Sequence, residues 1–187
     1  MAEQVFNSGQ VLTAAQMTTL QTNIGLTYIT QAGMTGSSVS INNCFTSAYR
    51  NYRIVFVSTQ AGGNTTWNFR FRSGGVDNTS ATYKFAQTFV TTVGGTGNDT
   101  GNGNTEIRIG YISSANGDTE TVMDICDPER AARTKGNYQF FGYDSASWAQ
   151  RQAGWMFDNT TQFDGITFLT GGSSFTGDVY VYGYRQA

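Results

Sequence analysis

Tyr52, Ile54 and Phe56 alternate with Arg53, Val55 and Val57 over residues 51–58. Successive side chains of a strand point to opposite faces, so this stretch sets three apolar side chains on one side. Its other side is largely apolar as well, which predicts a central or sandwiched strand. Trp67, Phe69 and Phe71 repeat the period against Asn68, Arg70 and Arg72, giving one buried and one wet face. The same pattern runs through residues 82–93, where Tyr83, Phe85 and Phe89 are the anchors, and through 105–112, 119–126 and 137–143. It returns at 153–157, 165–169 and 178–184. Clusters such as Ala61-Gly62-Gly63-Asn64 punctuate the runs as turns. About nine or ten strands at such spacing predict a mainly β chain, an antiparallel jelly-roll-type sandwich.

One helix signal precedes the strands. Thr13 reads as an N-cap with Gln16 three residues on, Leu12 and Met17 as a hydrophobic staple, and Gly25 as the left-handed stop. A helix over residues 14–24 would be about 16 Å long at ~1.5 Å per residue. Met17, Leu20 and Ile24 would line one narrow face, and so short a helix needs a partner surface. The sandwich reads as complete without it, so Leu12, Met17, Leu20 and Ile24 are the expected docking face toward another subunit. Leu26-Thr27-Tyr28-Ile29-Thr30 reads as a short strand or extended connector. Residues 1–36 are therefore assigned to an N-terminal arm and 37–187 to the sandwich.

Composition narrows the function. Charged residues make up 13% of the chain, against roughly 25% in ordinary soluble domains. Thr, Asn, Ser and Gly supply the polarity instead, which suits a β-rich protein packed against copies of itself. A net charge of -2 gives no electrostatic basis for binding nucleic acid or an anionic membrane. No apolar run reaches membrane-spanning length, so no insertion is expected, and with no charged-then-apolar leader the chain is expected to be made in a cytoplasm. Cys44 and Cys126 lie far apart in strand-like surroundings and read as buried free thiols.

The chain has no histidine, which removes Ser-His-Asp and Cys-His nucleophile systems and most zinc sites. Carboxylate pairs remain as the chemistry to test. Glu120 and Asp124 share a strand face with Val122, but no recognisable acid/base motif appears, so no catalytic residue and no cofactor are assigned. Residues 94–104 are rich in Gly and Asn and predict a flexible surface loop. The oxygen-rich stretch Asn98-Asp99-Thr100-Gly101-Asn102-Gly103-Asn104 lacks the spacing and closing Glu of a calcium loop, so no metal is expected. Tyr180, Tyr182 and Tyr184 alternate in the last strand and read as a ladder packing on a neighbouring strand or subunit. The competing reading is a platform for sugar rings, with Trp148, Trp155, Asn98 and Asp99 as ligand-facing company.

Phe6-Asn7-Ser8-Gly9-Gln10-Val11-Leu12-Thr13-Ala14-Ala15-Gln16-Met17 resembles the "F-x-x-G-x-x-L-T-A-A-x-x" opening of tailed-bacteriophage virion structural proteins, especially tail fibres and minor tail proteins. The closing Phe163-Asp164-Gly165-Ile166-Thr167-Phe168 and Phe175-Thr176-Gly177-Asp178-Val179-Tyr180-Val181-Tyr182-Gly183-Tyr184 is similar to the end of small phage β-sandwich domains. Thr18 stands where such openings usually carry Asn. The resemblance implies a non-enzymatic virion component, a homotrimer with an N-terminal attachment segment. Its implied partners are other phage tail or capsid proteins and a host surface polysaccharide or outer-membrane receptor. A short tail fibre or receptor-binding protein is the first expectation and a capsid decoration (cement) protein the second; a glycan-cleaving tailspike is disfavoured by the short chain.

Overall fold

The computed structural model describes residues 25–114, 118–144 and 147–185, together with Thr13. The helix expected over 14–24, with Leu12, Met17, Leu20 and Ile24, lies outside the described residues. Among the described residues the chain is β-structure joined by turns and loops, as the alternation predicts.

The strands are β1 (Leu26–Met34), β2 (Ser38–Ile41), β3 (Asn51–Ala61), β4 (Thr65–Ser73), β5 (Val76–Asp77), β6 (Tyr83–Thr91) and β7 (Thr96–Asn104). They continue with β8 (Ile107–Ile112), β9 (Thr119–Cys126), β10 (Lys135–Asp144), β11 (Ser147–Phe157), β12 (Gly165–Thr170) and β13 (Phe175–Tyr184). One sheet has eight strands in the order β1-β13-β3-β9-β10-β11-β6-β7; the other runs β2-β12-β4-β5, with β8 also paired to β4. Every pairing is antiparallel.

The inward parity of the strands makes an aromatic core. Phe56 of β3 stacks on Trp67 of β4 at 4.2 Å, and Trp67 stacks on Phe168 of β12 at 5.2 Å. Phe69 meets Trp155 of β11 edge-on at 5.1 Å, and Phe71 stacks on Phe163 at 4.8 Å. Ring pairs of this geometry add about 0.5–1.5 kcal/mol each beyond the apolar area they bury. The Tyr83 hydroxyl donates to the Asn78 carbonyl and accepts from the Phe71 amide, both at 2.9 Å. Burial pushes that phenol upward from its ordinary pKa.

Three expectations are corrected. Residues 26–34 are not arm: β1 pairs with β13 from Leu26↔Tyr184 to Met34↔Gly177, and Met34 is 2% exposed in the core. Residues 94–104 are not a loop, because Thr96–Asn104 forms edge strand β7 on β6. Its sequence has little intrinsic strand preference, but Phe89 and Phe85 of β6 lie directly across from Gly97 and Gly101. A Cβ on Gly97 would stand 2.6 Å from Phe89 Cζ, so the glycines let the rings lie over the edge strand. The strand expected at 153–157 is longer: β11 starts at Ser147, which places Trp148 and Trp155, seven residues apart, on opposite faces. Cys44 is buried and Cys126 half-buried, and both are free thiols. Burial pushes Cys44 up to about 12.

Candidate functional site

The sandwich has two outward faces. On the five-stranded sheet many of the outward polar groups are tied to one another. Arg72 Nε donates to Asn42 Oδ1 at 2.8 Å, and its Nη1 reaches Ser40 Oγ at 2.8 Å, Thr167 Oγ1 at 2.7 Å and the Asp77 carboxylate. Arg70 pairs with Glu106 at 2.7 Å. At the seam between β7 and β8, Arg108 pairs with Asp99, which also accepts from Gln87 Nε2 at 2.8 Å. Partial burial works to raise the Asp99 carboxyl, but the Arg108 hydrogen bond and charge outweigh it and hold it below the usual carboxylate value. Behind the seam Arg151 is 4% exposed, with its guanidinium 4.6 Å from the Phe89 ring centre.

The outward face of the eight-stranded sheet divides into two halves. In the β1-β13-β3-β9 half, Tyr180, Tyr182 and Tyr184 share the outer side and are half-buried. Tyr28 of β1, 56% exposed, meets Tyr182 edge-on at 6.0 Å. Arg53 makes a two-pronged pair with Asp124, at 2.9 and 2.7 Å, and the Tyr184 hydroxyl donates to Asp124 at 2.6 Å. Partial burial works to raise the Asp124 carboxyl, but the hydrogen bonds from Arg53 and Tyr184, with the Arg53 charge, hold it below the ordinary value. Burial, then the bond to Asp124, pushes Tyr184 up to about 12. Glu120 lies four residues from Asp124 along β9, about 13 Å at ~3.3 Å per residue, beyond the spacing of a glycosidase carboxylate pair.

The β10-β11-β6-β7 half is built differently. The register sets Gln139, Gln152, Thr88 and Asn98 in one cross-strand row, and Asn137, Gly154, Ala86 and Thr100 in the next. These two rows line a shallow depression of about 570 Å³. Gln139 also borders a second depression of about 260 Å³ with Phe141 and Gln150. Phe141 and Glu120 then border a third, of about 320 Å³, with Trp148 and Asp118. Phe141, 50% exposed, stacks on Trp148 at 5.4 Å with the rings 10° from parallel. Tyr143 meets Trp148 edge-on at 5.8 Å.

Of the residues expected to face a ligand, Trp148 and Asn98 stand on this surface. Trp155 does not: it is 5% exposed and packs on Phe69 and Phe71 in the core. Asp99 points to the inner side of β7 and is taken up by Arg108 and Gln87. Asn137, Gln139, Gln150, Gln152, Thr88 and Phe141 were not singled out from the sequence; the alternations Gln139-Phe140-Phe141 and Gln150-Arg151-Gln152 carry the signal. Among the described residues no group of three His, Cys, Asp or Glu side chains could hold a metal ion.

No protein-family model matches the chain, and no curated protein matches it. Among solved structures it is similar to the CBM2 module of the evolved Dit of Lactobacillus casei BL23 phage J-1, at 11% identity and a TM-score of 0.25, over 80% of this chain and 69% of that one.

Proposed function

We propose that this chain is a non-enzymatic structural component of a tailed-phage particle, a short tail fibre or receptor-binding protein. Its N-terminal segment docks it to the particle and its β-sandwich faces the host surface. The resemblance of residues 6–17 to phage virion openings supports the particle assignment. The observation that carries the receptor-facing reading is the open side of the eight-stranded sheet. There Phe141 and Val90 stand exposed beside rows of neutral amides, and Tyr28 stands exposed at the far edge of the same sheet, the make-up of a contact surface rather than a solvated wall. On this reading the partners are further copies of the chain as a homotrimer, neighbouring tail or capsid proteins, and a host polysaccharide or outer-membrane receptor.

Quantitative densitometry and mass spectrometry of purified particles test this. Tens of copies per particle are expected; hundreds would instead make the chain a capsid decoration protein, its tyrosine-bearing half against the shell. Absence from particles would overturn both. Removing residues 1–24 leaves every described strand in place, so the truncated chain is expected to fold and fail to join particles. Light scattering is expected to find trimers, and a monodisperse 20.3 kDa species would refute self-sufficient trimerisation.

A further inference from the structure

We infer that the line of depressions along β10 is a binding track for an uncharged polysaccharide chain, with Trp148 and Phe141 as its stacking platform. The amides of Asn137, Gln139 and Gln152 are its hydrogen-bonding groups. The proposal deepens the receptor-facing reading of the same surface, and relies on it only for where the ligand is met.

Shape is the first argument. Successive depressions share Gln139 and then Phe141 with Glu120, so they form a line rather than an enclosed pocket. From Asn137 to Phe141 the line follows β10 for about 13 Å at ~3.3 Å per residue. Together the three are large enough for a bound molecule, and their shallow linear form fits a polymer repeating one set of contacts. Gly154 and Ala86 keep the floor low between the amide side chains, and a Cβ on Gly154 would meet nothing within 4 Å.

Hydrogen-bonding capacity is the second argument. Within the described chain the side chains of Asn137, Gln139, Gln152 and Thr88 make no hydrogen bond to one another or to any other group. Each amide offers both donors and an acceptor, which matches a sugar hydroxyl that is itself both. The ring pair supplies the complementary apolar contact, because the C–H face of a sugar packs against an electron-rich ring face. Tyr143 edge-on to Trp148 and Phe141 parallel to it hold the platform before a ligand arrives, which lowers the entropy lost on binding. Charge is the third. The ionic side chains lining the track are Asp118 and Glu120, both at its aromatic end, and they oppose nucleic acid or an acidic glycan.

Native affinity electrophoresis of the full chain, with dextran, mannan, galactan and glucomannan cast separately and alginate and hyaluronate as anionic controls, tests the track. Retardation by at least one neutral polymer and by neither anionic one is expected, with a change in tryptophan emission that vanishes in Trp148→Phe, since Trp67 and Trp155 are buried. Trp148→Ala and Gln139→Ala should each weaken binding about tenfold. Gly154→Tyr should fold with unchanged thermal stability and no longer bind, while Tyr28→Ala on the opposite half should bind as the native chain does. No retardation by any neutral polymer, equal retardation by the anionic ones, or undiminished binding by Gly154→Tyr would overturn the track. A chain found in particles that ignores every neutral polymer sinks this inference and leaves the particle reading standing; a chain that binds but is absent from particles does the reverse.

Discussion

The two outward faces of this sandwich are both polar, yet their side chains are matched within the chain to different degrees. On the five-stranded sheet Arg72 gathers Asn42, Ser40, Asp77 and Thr167 around one guanidinium, and Thr167 in turn donates to Asp77 at 2.6 Å. On the eight-stranded sheet the amides of β10 and β11 stand side by side without bonding one another. Residue polarity alone does not separate a wall from a binding surface. What separates them is whether donors and acceptors are already matched within the chain, because a matched group gains little from a partner and an unmatched one exchanges water for it.

The contrast is most directly broken at Arg72. Its side chain is 12% exposed and that of Asp77 27%, so Arg72→Ala leaves the partly buried Asp77 carboxylate without its cation, with the Thr167 hydroxyl as its remaining side-chain donor. A loss of about 2–3 kcal/mol is expected from the urea midpoint at unchanged slope. A loss as small as that of an exposed amide would erase the distinction between the faces.

The glycines give a similar contrast within one sheet. Gly101→Ala drives a methyl into the Phe85 ring and the Asn104 amide, and should cost about 1–3 kcal/mol by overpacking. Gly154→Ala meets open space and should be neutral or stabilising by up to about 1 kcal/mol. Paired thermal melts decide it, and equal effects would show that β7 does not depend on the rings over it.

The tyrosine-bearing half offers a pH readout. Asp124 is held below its ordinary value in the fold, so the unfolded chain takes up its proton first. Its contribution is therefore complete above about pH 4 and is lost as pH falls through the folded value. Wild-type stability should fall more steeply than that of Arg53→Met below about pH 4; parallel curves would uncouple the pair from the fold. Tyr184, raised to about 12, stabilises in the opposite sense, fully below the ordinary phenol value and decreasingly as pH rises through the folded one. Tyr184→Phe should cost about 1 kcal/mol and remove one late-titrating phenol from the ultraviolet titration. The smallest effect is expected for Gln152→Ala, within about 0.5 kcal/mol, as for an exposed side chain with no intramolecular partner.

Much of the fold was legible because burial imposes a period of two. Trp67, Phe69 and Phe71 point inward together as their spacing requires, and Tyr180, Tyr182 and Tyr184 share one outward face for the same reason. β7 was illegible because Thr, Gly, Asn and Asp carry no alternation of hydrophobicity. It is a strand because Phe85 and Phe89, on a different strand, need glycines opposite them. Trp155 was misplaced because parity can be counted only within one strand, and the continuity of β11 from Ser147 to Phe157 is set by its two neighbours rather than by its own residues.

The sequence by itself determined the β class, the inward parity of the aromatic strands, the absence of histidine chemistry and the neutral polarity of the surface, since all of these follow from residue type and local spacing. Only the tertiary structure decided that β1 belongs to the sheet and that Asp99 is taken up by Arg108. Tertiary structure alone also brought Asn137, Gln139 and Gln152 onto one outward surface with Trp148 and Phe141. The physical reason is that cross-strand register joins residues far apart in the chain, and that register is set by which side chains fit together in the core.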